Sequence, residues 1–377
     1  MRILLLSAYD ALSHQYWRTG LVEHFPAIDW TVLALPPRFF RYRVRANPIS
    51  WLTAERDVLK ANYDLVIATS LVDIATLRGL VPSLAQTPLW LYCHENQFAY
   101  PVSTHQGHQT QHELEAKMVF LYACMAADKI SFNSQWNRDT ALRGLRQLLE
   151  AMPEKIDTGL LDTISAKTDI TPVPLNSSHL EKHAPEKRAA EKQVTTDNSR
   201  WRLLWNHRWE YDKGPDLLQA FVEQLAQSQL VCELNIVGQQ FRQQPAAFAA
   251  IEQIIINSPL LSCQHWGYLS QQVDYQALLQ NSDVVVSTAE HDFQGIAVLE
   301  AVRAGCVPLL PSALVYPEIF PADYLYPVDL EHKHSAAAMV QQLEDWRAFG
   351  LPTVPDIDSF EWNHQLPVYQ RAIESLV

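Results

Sequence analysis

Twice along these 377 residues, short apolar runs alternate with amphipathic stretches, and that rhythm leaves few architectures open. In the first series the runs are Ile3 to Tyr9, Trp30 to Leu35, Leu65 to Ser70, Pro88 to His94 and Lys129 to Asn133, with helical patterns over 113–126 and 135–150. The second series begins at Trp201 and comprises Leu203 to Trp209, Leu234 to Gly238, Cys263 to Leu269, Asp283 to Thr288 and Val307 to Leu310. Helical patterns follow at 215–228, 244–257, 271–280 and 295–304. Alternation of this kind specifies βαβ units, hence parallel sheets with helices on both faces. Two doubly wound α/β domains are therefore predicted, over 1–175 and 201–358. The segment 176–200 between them is polar, without apolar periodicity, and reads as a linker or insertion. A closing segment, 359–377, carries a helix over 363–376 that is free to cross back onto the first domain.

Composition narrows the class. With 48% hydrophobic and 19% charged residues, the chain can bury two large cores and is not disordered. No apolar run reaches the roughly 18 residues of a membrane span. The opening MRILLLSAY reads as a first strand rather than a signal peptide, which predicts a cytoplasmic protein. Five cysteines without a C-x-x-C pair indicate neither a disulfide framework nor a zinc ribbon. The formal charge of −13 argues against non-specific nucleic-acid binding. That charge is uneven, however: residues 1–60 hold eight Lys/Arg against five Asp/Glu, leaving 21 against 37 on the rest.

Open α/β sheets bind ligands outside the carboxyl ends of their strands, and two such domains would face each other across a cleft. In the second domain, Leu203 to Trp205 lead into Asn206, His207, Arg208 and Trp209, then Lys213 and Gly214. Two cations beside a helix N-terminus suit a phosphate, although two solvated surface cations would give the same spacing. Asp283 to Thr288 lead into Glu290, His291, Asp292 and Gly295 at the start of a helix that contains Glu300. Carboxylates so placed can accept hydrogen bonds from sugar hydroxyls, and Gly295 would let a ligand approach the backbone. Five of the eleven glycines (214, 238, 267, 295 and 305) fall at element boundaries of this one domain.

Arg208-x4-Lys213-Gly214 and Asp292-x7-Glu300-Ala301, followed by Ala304-Gly305-x2-Pro308, resemble the retaining family 4 glycosyltransferases of GT-B fold. The resemblance implies that Arg208 and Lys213 bind a donor diphosphate, Glu300 the ribose hydroxyls, and Asp292 the donor sugar. Asn206 and Gly267 would belong to the same donor side. A second likeness runs through nearly the whole chain: Pro36-Pro37 with the basic run to Arg45, the run Cys93 to Gln97, Phe132-Asn133-Ser134-x2-Asn137, the run His207 to Lys213, His265 to Leu269, and Leu314 to Pro321. These are similar to the tRNA-queuosine mannosyltransferase family. It implies transfer of mannose from GDP-mannose to queuosine in the anticodon loop of the tRNA for aspartate, with retention and without a metal. Other readings are a family 4 enzyme with another donor or with a glycan, lipid or small-molecule acceptor, a GT-B epimerase or hydrolase, and a non-catalytic RNA-binding protein.

On the acceptor side, His94 and Glu95 follow an apolar strand, and Ser13, His14 and Asn133 occupy equivalent strand-end positions. His94 can donate to a donor-sugar hydroxyl or to phosphate, a catalytic placement under the family likeness. Arg38, Arg41, Arg43 and Arg45, interleaved with Phe39, Phe40 and Tyr42, suit RNA, whose phosphates pair with guanidinium and whose unpaired bases stack on rings. A strand with one charged and one apolar face would produce a similar run. Two weaker patterns are set aside as metal sites: Asp356-Ile357-Asp358, and His105, His108 and His112.

Overall fold

A computed structural model of the protein describes residues 1–99, 110–157, 159–176 and 200–377. His105 and His108 lie outside these residues, as do the side chain of His112 and all but the ends of the polar segment 176–200. The chain divides into two compact units, Met1–Pro174 with Phe360–Val377, and Leu175–Ser359.

The first unit is built on six parallel strands, β1 (Arg2–Ser7), β2 (Asp29–Ala34), β3 (Leu65–Thr69), β4 (Leu89–Cys93), β5 (Lys129–Phe132) and β6 (Thr168–Ile170). Their order is β2-β1-β3-β4-β5-β6. One face presents Leu4, Leu6, Val66, Ala68, Leu89, Leu91, Ile130 and Phe132 to a core with Trp51, Leu77, Phe120 and Leu145. Ile3, Leu5, Ile67, Trp90 and Tyr92 alternate with them and are fully buried too. Coverage on both faces is why these strands are unbroken apolar runs. On the second face, Trp17 of the helix Leu12–His24 stacks on Tyr92. The last helix, Trp362–Glu374, closes that layer within the same unit. Its Tyr369 hydroxyl accepts from Trp17 Nε1 at 2.9 Å and donates to the Pro172 carbonyl at 2.9 Å, while Trp362 stacks on His24.

The second unit contains β7 (Arg200–Asn206), β8 (Val231–Val237), β9 (Leu261–Ser262), β10 (Trp266–Gly267), β11 (Val284–Val286), β12 (Val307–Pro311) and β13 (Leu325–Tyr326). They run in the order β10-β8-β7-β11-β12-β13, with β9 beside β8, and every pairing is parallel. All five boundary glycines of this unit adopt positive φ. At Gly214 no side chain fits, because a Cβ would stand 1.9 Å from the Thr288 carbonyl oxygen.

One sequence expectation changes and one alternative reading drops out. The run Cys263 to Leu269 yields only the two-residue β10, because the buried Asn235 Oδ1 takes the N–H groups of Gln264 and His265 and interrupts the ladder. The basic run Arg38 to Arg45 is not a strand: Phe39 turns the chain in a left-handed conformation, φ 56°, and the helix Phe40–Ala54 begins.

Candidate active site

The second sheet winds outward from β7 to β8 and β10, then returns past β7 to β11, so its switch point lies between β7 and β11. That is where a doubly wound sheet opens a crevice. Asn206 ends β7, and its amide donates to the Tyr275 hydroxyl at 3.0 Å and the Ala297 carbonyl at 2.8 Å. Tyr275 in turn donates to Glu300 Oε2 at 3.3 Å. Across the switch point, Thr288 accepts from Trp205 Nε1 and donates to the Lys213 carbonyl, both at 2.9 Å. The backbone N–H groups of Glu290 and His291 donate to the Asp212 carbonyl. The single turn Tyr211–Lys213 is thereby fastened to the segment after β11, which fixes where Lys213 points.

Lys213 is nine-tenths buried. Its ammonium donates to the His291 carbonyl at 2.7 Å and stands 3.4 Å from Asp212 Oδ2 and 3.6 Å from Asp292 Oδ2. Arg208 reaches Glu210 at 2.6 Å and Asp212 at 3.4 Å, with its side chain 42% exposed. Asp292 is held on both oxygens: Oδ1 accepts the Gly295 N–H at 2.9 Å and Oδ2 the Tyr316 hydroxyl at 3.1 Å. Tyr316, fully buried, also lies 2.9 Å from the Ser287 hydroxyl. A Cβ at Gly295 would come within 3.1 Å of its ring, so the glycine leaves room for the tyrosine.

Burial sets the protonation states, and the neighbours modify them. Burial drives His207 and His291 down to about 4, with Lys213 adding to the effect, so both are neutral near pH 7. Burial also pushes Asp292 up, but Lys213, the two histidines and the Gly295 N–H outweigh it and hold the carboxyl below its usual range. Burial raises Glu300 to about 7 against the opposing hydrogen bond from Tyr275. One buried cation, one half-exposed cation and a carboxylate ready to accept hydroxyls thus gather at one edge of one sheet. That set can hold a diphosphate and a vicinal diol side by side.

Of the residues singled out from sequence, Asn206, Arg208, Lys213, Asp292, Gly295 and Glu300 come together here. Gly267 lies on the flank of the same edge, where its carbonyl accepts the Gly238 N–H and Trp209 meets Trp266 edge-on. Tyr275, Ser287, Thr288 and Tyr316 were missed. Tyr316 sits inside the run Leu314 to Pro321, so a signal was present without a role; Tyr275 lies in a helix, Gln272–Asn281, with no local mark.

In the first unit, His14 and His94 stack at 4.2 Å, and both are buried. Burial lowers both, His94 the more strongly, and each is neutral near pH 7. A neutral, buried His94 offers one hydrogen bond and no charge, which fits a hydroxyl rather than a phosphate. Glu95 is half-buried beside it. Asn133 is differently employed: its amide donates to the His94 carbonyl at 2.9 Å, and its oxygen accepts from Asn137. It positions the loop after β4 and has both groups occupied within the protein. Ser13 is exposed on the helix surface. Arg38 and Arg41 are exposed, Arg43 is half-buried, and Arg45 pairs with Asp73 at 2.7 Å. The run Asp356 to Asp358 closes a local turn, Asp356 accepting the Asp358 N–H at 2.9 Å. Among the described residues no helix is long and apolar enough to cross a membrane.

Residues 2–175 match the family described as tRNA-queuosine alpha-mannosyltransferase N-terminal, and residues 186–347 match glycosyl transferases group 1. A tRNA-queuosine alpha-mannosyltransferase of Drosophila melanogaster is 31% identical over 327 residues, which are 86% of this chain and 83% of that protein. Among solved structures, sucrose-phosphate synthase from Thermosynechococcus elongatus aligns at a TM-score of 0.70 and 15% identity, over 100% of this chain and 99% of its own. Anabaena HepE in complex with UDP and glucose aligns at 0.63 and 16%, over the whole of both chains. Identity this low speaks to the fold alone. Two Rossmann-like units, the second with its cations and carboxylate at the switch point, define a glycosyltransferase of the GT-B class. Its chain-long likeness to the Drosophila enzyme places it more narrowly: the chain belongs to the tRNA-queuosine alpha-mannosyltransferase family.

Proposed function

We propose that this enzyme transfers mannose from GDP-mannose to queuosine in the anticodon loop of the tRNA for aspartate, in the cytoplasm, with retention at the anomeric carbon and without a metal. The observation that carries the donor half is the clustering of Lys213, Arg208 and Glu300 at the β7/β11 switch point. Lys213 and Arg208 stabilise the charge that develops on the departing diphosphate, Glu300 accepts from the ribose hydroxyls, and Asp292 orients the mannose. The departing phosphate itself takes the proton of the acceptor hydroxyl, so no side chain need act as base. Incubation with GDP-mannose and queuosine-containing tRNA, followed by mass analysis of the digested nucleosides, tests the whole reading. A hexose-bearing queuosine is expected, and its absence would overturn the assignment.

The RNA half rests on the start of the helix Phe40–Ala54. There Phe39 and Tyr42 are 69% and 75% exposed, beside the exposed Arg38 and Arg41. Two or three phosphates neutralised by this edge predict a slope of log affinity against log salt of about −1.4 to −2.1, as for single strands. Arg41→Ala should make that slope about 0.7 shallower, measured by fluorescence titration of labelled tRNA between low and physiological salt. An unchanged slope would remove Arg41 from the interface.

A further inference from the structure

In the first sheet the chain passes from β1 to β2 on one side and returns to β3 on the other, so the winding reverses between β1 and β3. This second switch point is as eligible for a ligand as the one in the other unit. Ser7 ends β1 and Thr69 ends β3, and with Leu6 opposite Ala68 in register they are neighbours across the reversal. Leu4, Leu6, Ala68, Leu91 and Cys93 point into the core beneath the sheet, so Ser7, Thr69 and His94 share the opposite face. His14 stacks on His94 above that face. All four side chains are more than nine-tenths buried, and among the described residues Ser7 Oγ, Thr69 Oγ1, His14 Nδ1 and His94 Nε2 each lack a hydrogen-bond partner.

Four such atoms at one sheet edge run against a strong rule. Buried hydroxyl and imidazole groups are almost always paired, and an unpaired one destabilises the fold. Spread through a core they would be defects; collected at a switch point they are groups held in readiness for a partner from outside the chain. Their chemistry restricts that partner. Hydroxyls and neutral imidazoles both donate and accept, and none of the four carries a charge to match a phosphate or a carboxylate. Alcohols have the same dual character.

We infer that Ser7, Thr69, His14 and His94 form a pocket that reads the hydroxyl groups of the acceptor, taking a neutral vicinal polyol rather than a charged group. The inference rests on the reading that the first unit receives the nucleoside to be mannosylated, and it names the residues that select it. The basic and aromatic edge at Arg38 to Tyr42 then supplies affinity for RNA in general, and this pocket supplies discrimination for the hydroxylated nucleoside.

The test is the double variant Ser7→Ala with Thr69→Val, which removes two hydroxyls and keeps the volume almost unchanged. Loss of one or both bonds should lower kcat/KM for queuosine-containing tRNA by about 10-fold or more. The thermal midpoint should stay level or rise, since two unpaired polar groups have left the interior. GDP-mannose affinity, measured by calorimetry, should not move. In gel-shift titrations the unaltered enzyme should prefer queuosine-containing tRNA over the same tRNA lacking the modification, and the variant should lose that preference while still binding the unmodified tRNA. Unchanged kcat/KM and preference in the variant would overturn this inference alone. A lower thermal midpoint accompanied by lost donor binding would also overturn it, by showing that the hydroxyls serve the fold. If the unaltered enzyme mannosylates no queuosine, the acceptor reading fails and this inference fails with it.

Discussion

Lys213→Ala is expected to lower turnover by about 10²-fold or more, the usual effect of losing one preorganised donor to developing charge. The structure adds a complication that must be separated from the chemistry. Lys213 sits among carboxylates: Asp212 is nearly sealed from solvent, Asp292 is 15% exposed, and both lie within 3.6 Å of the ammonium. Removing the cation leaves two buried anions with reduced compensation, and breaking a buried pair on one side costs about 3–5 kcal/mol. The single variant should therefore melt earlier as well as turn over slowly. Adding Asp292→Asn removes one of the stranded charges, so the double variant should recover most of the lost stability. It should not recover turnover, because nothing then replaces the ammonium beside the diphosphate. Melting curves and steady-state rates on the three proteins separate the two effects. Near-normal turnover in Lys213→Ala would sink the diphosphate assignment, and recovery of activity in the double variant would show that the loss was one of folding.

The same cluster shows what a sequence reveals and what it conceals. The strands were legible because both faces of each sheet are covered, so Ile3 to Leu6 or Leu89 to Cys93 had to be continuously apolar. The helices Leu12–His24 and Phe40–Ala54 were not. Each buries only part of its surface: the first hides His14, Trp17, Gly20 and Leu21 among polar residues, and the second hides an asparagine and a proline alongside Val44 and Trp51. Helices held by a few large side chains leave a faint periodicity. The cluster at the β7/β11 switch point was legible where residues lie beside strand ends, as Asn206, Lys213 and Asp292 do. Tyr316 and Tyr275 were out of reach because they act from other elements, 24 and 25 residues from the carboxylates they bind. Asn133, also at a strand end, donates its amide to the His94 carbonyl and so positions the loop after β4. Position along a strand locates the crevice; hydrogen-bond accounting decides which side chains are free to serve it.

Glu300 should make donor binding depend on pH near neutrality. Its carboxyl titrates at about 7 in the folded protein, against 4.5 for an ordinary glutamate, because burial disfavours the charge more than the Tyr275 hydrogen bond relieves it. A raised carboxyl binds its proton more tightly in the folded state, so this group lowers stability progressively as pH rises from about 4.5 to about 7 and by a constant amount above that. At 1.36 kcal/mol per unit, the loss is about 3 kcal/mol at most. Glu300→Gln, which cannot ionise, should thus be more stable than the parent at pH 8 and close to it at pH 4.5, by denaturant melts at both values. Function runs the other way. Under the proposed assignment ribose hydroxyls donate to the ionised carboxylate, so the nucleotide-sugar donor would select that form, and its affinity for the parent should fall by up to tenfold per unit as pH drops below about 7. Calorimetry in two buffers of different ionisation enthalpy should register a proton released on binding at pH 6.5. Glu300→Gln should bind the donor weakly, with turnover lower by about 10²-fold from the loss of hydrogen bonds to a charged group. Its affinity should be flat from pH 6 to 8 and its binding should release no proton. A variant that keeps both the parent's affinity and its pH dependence would place the ribose elsewhere and leave Glu300 as a buried partner of Tyr275.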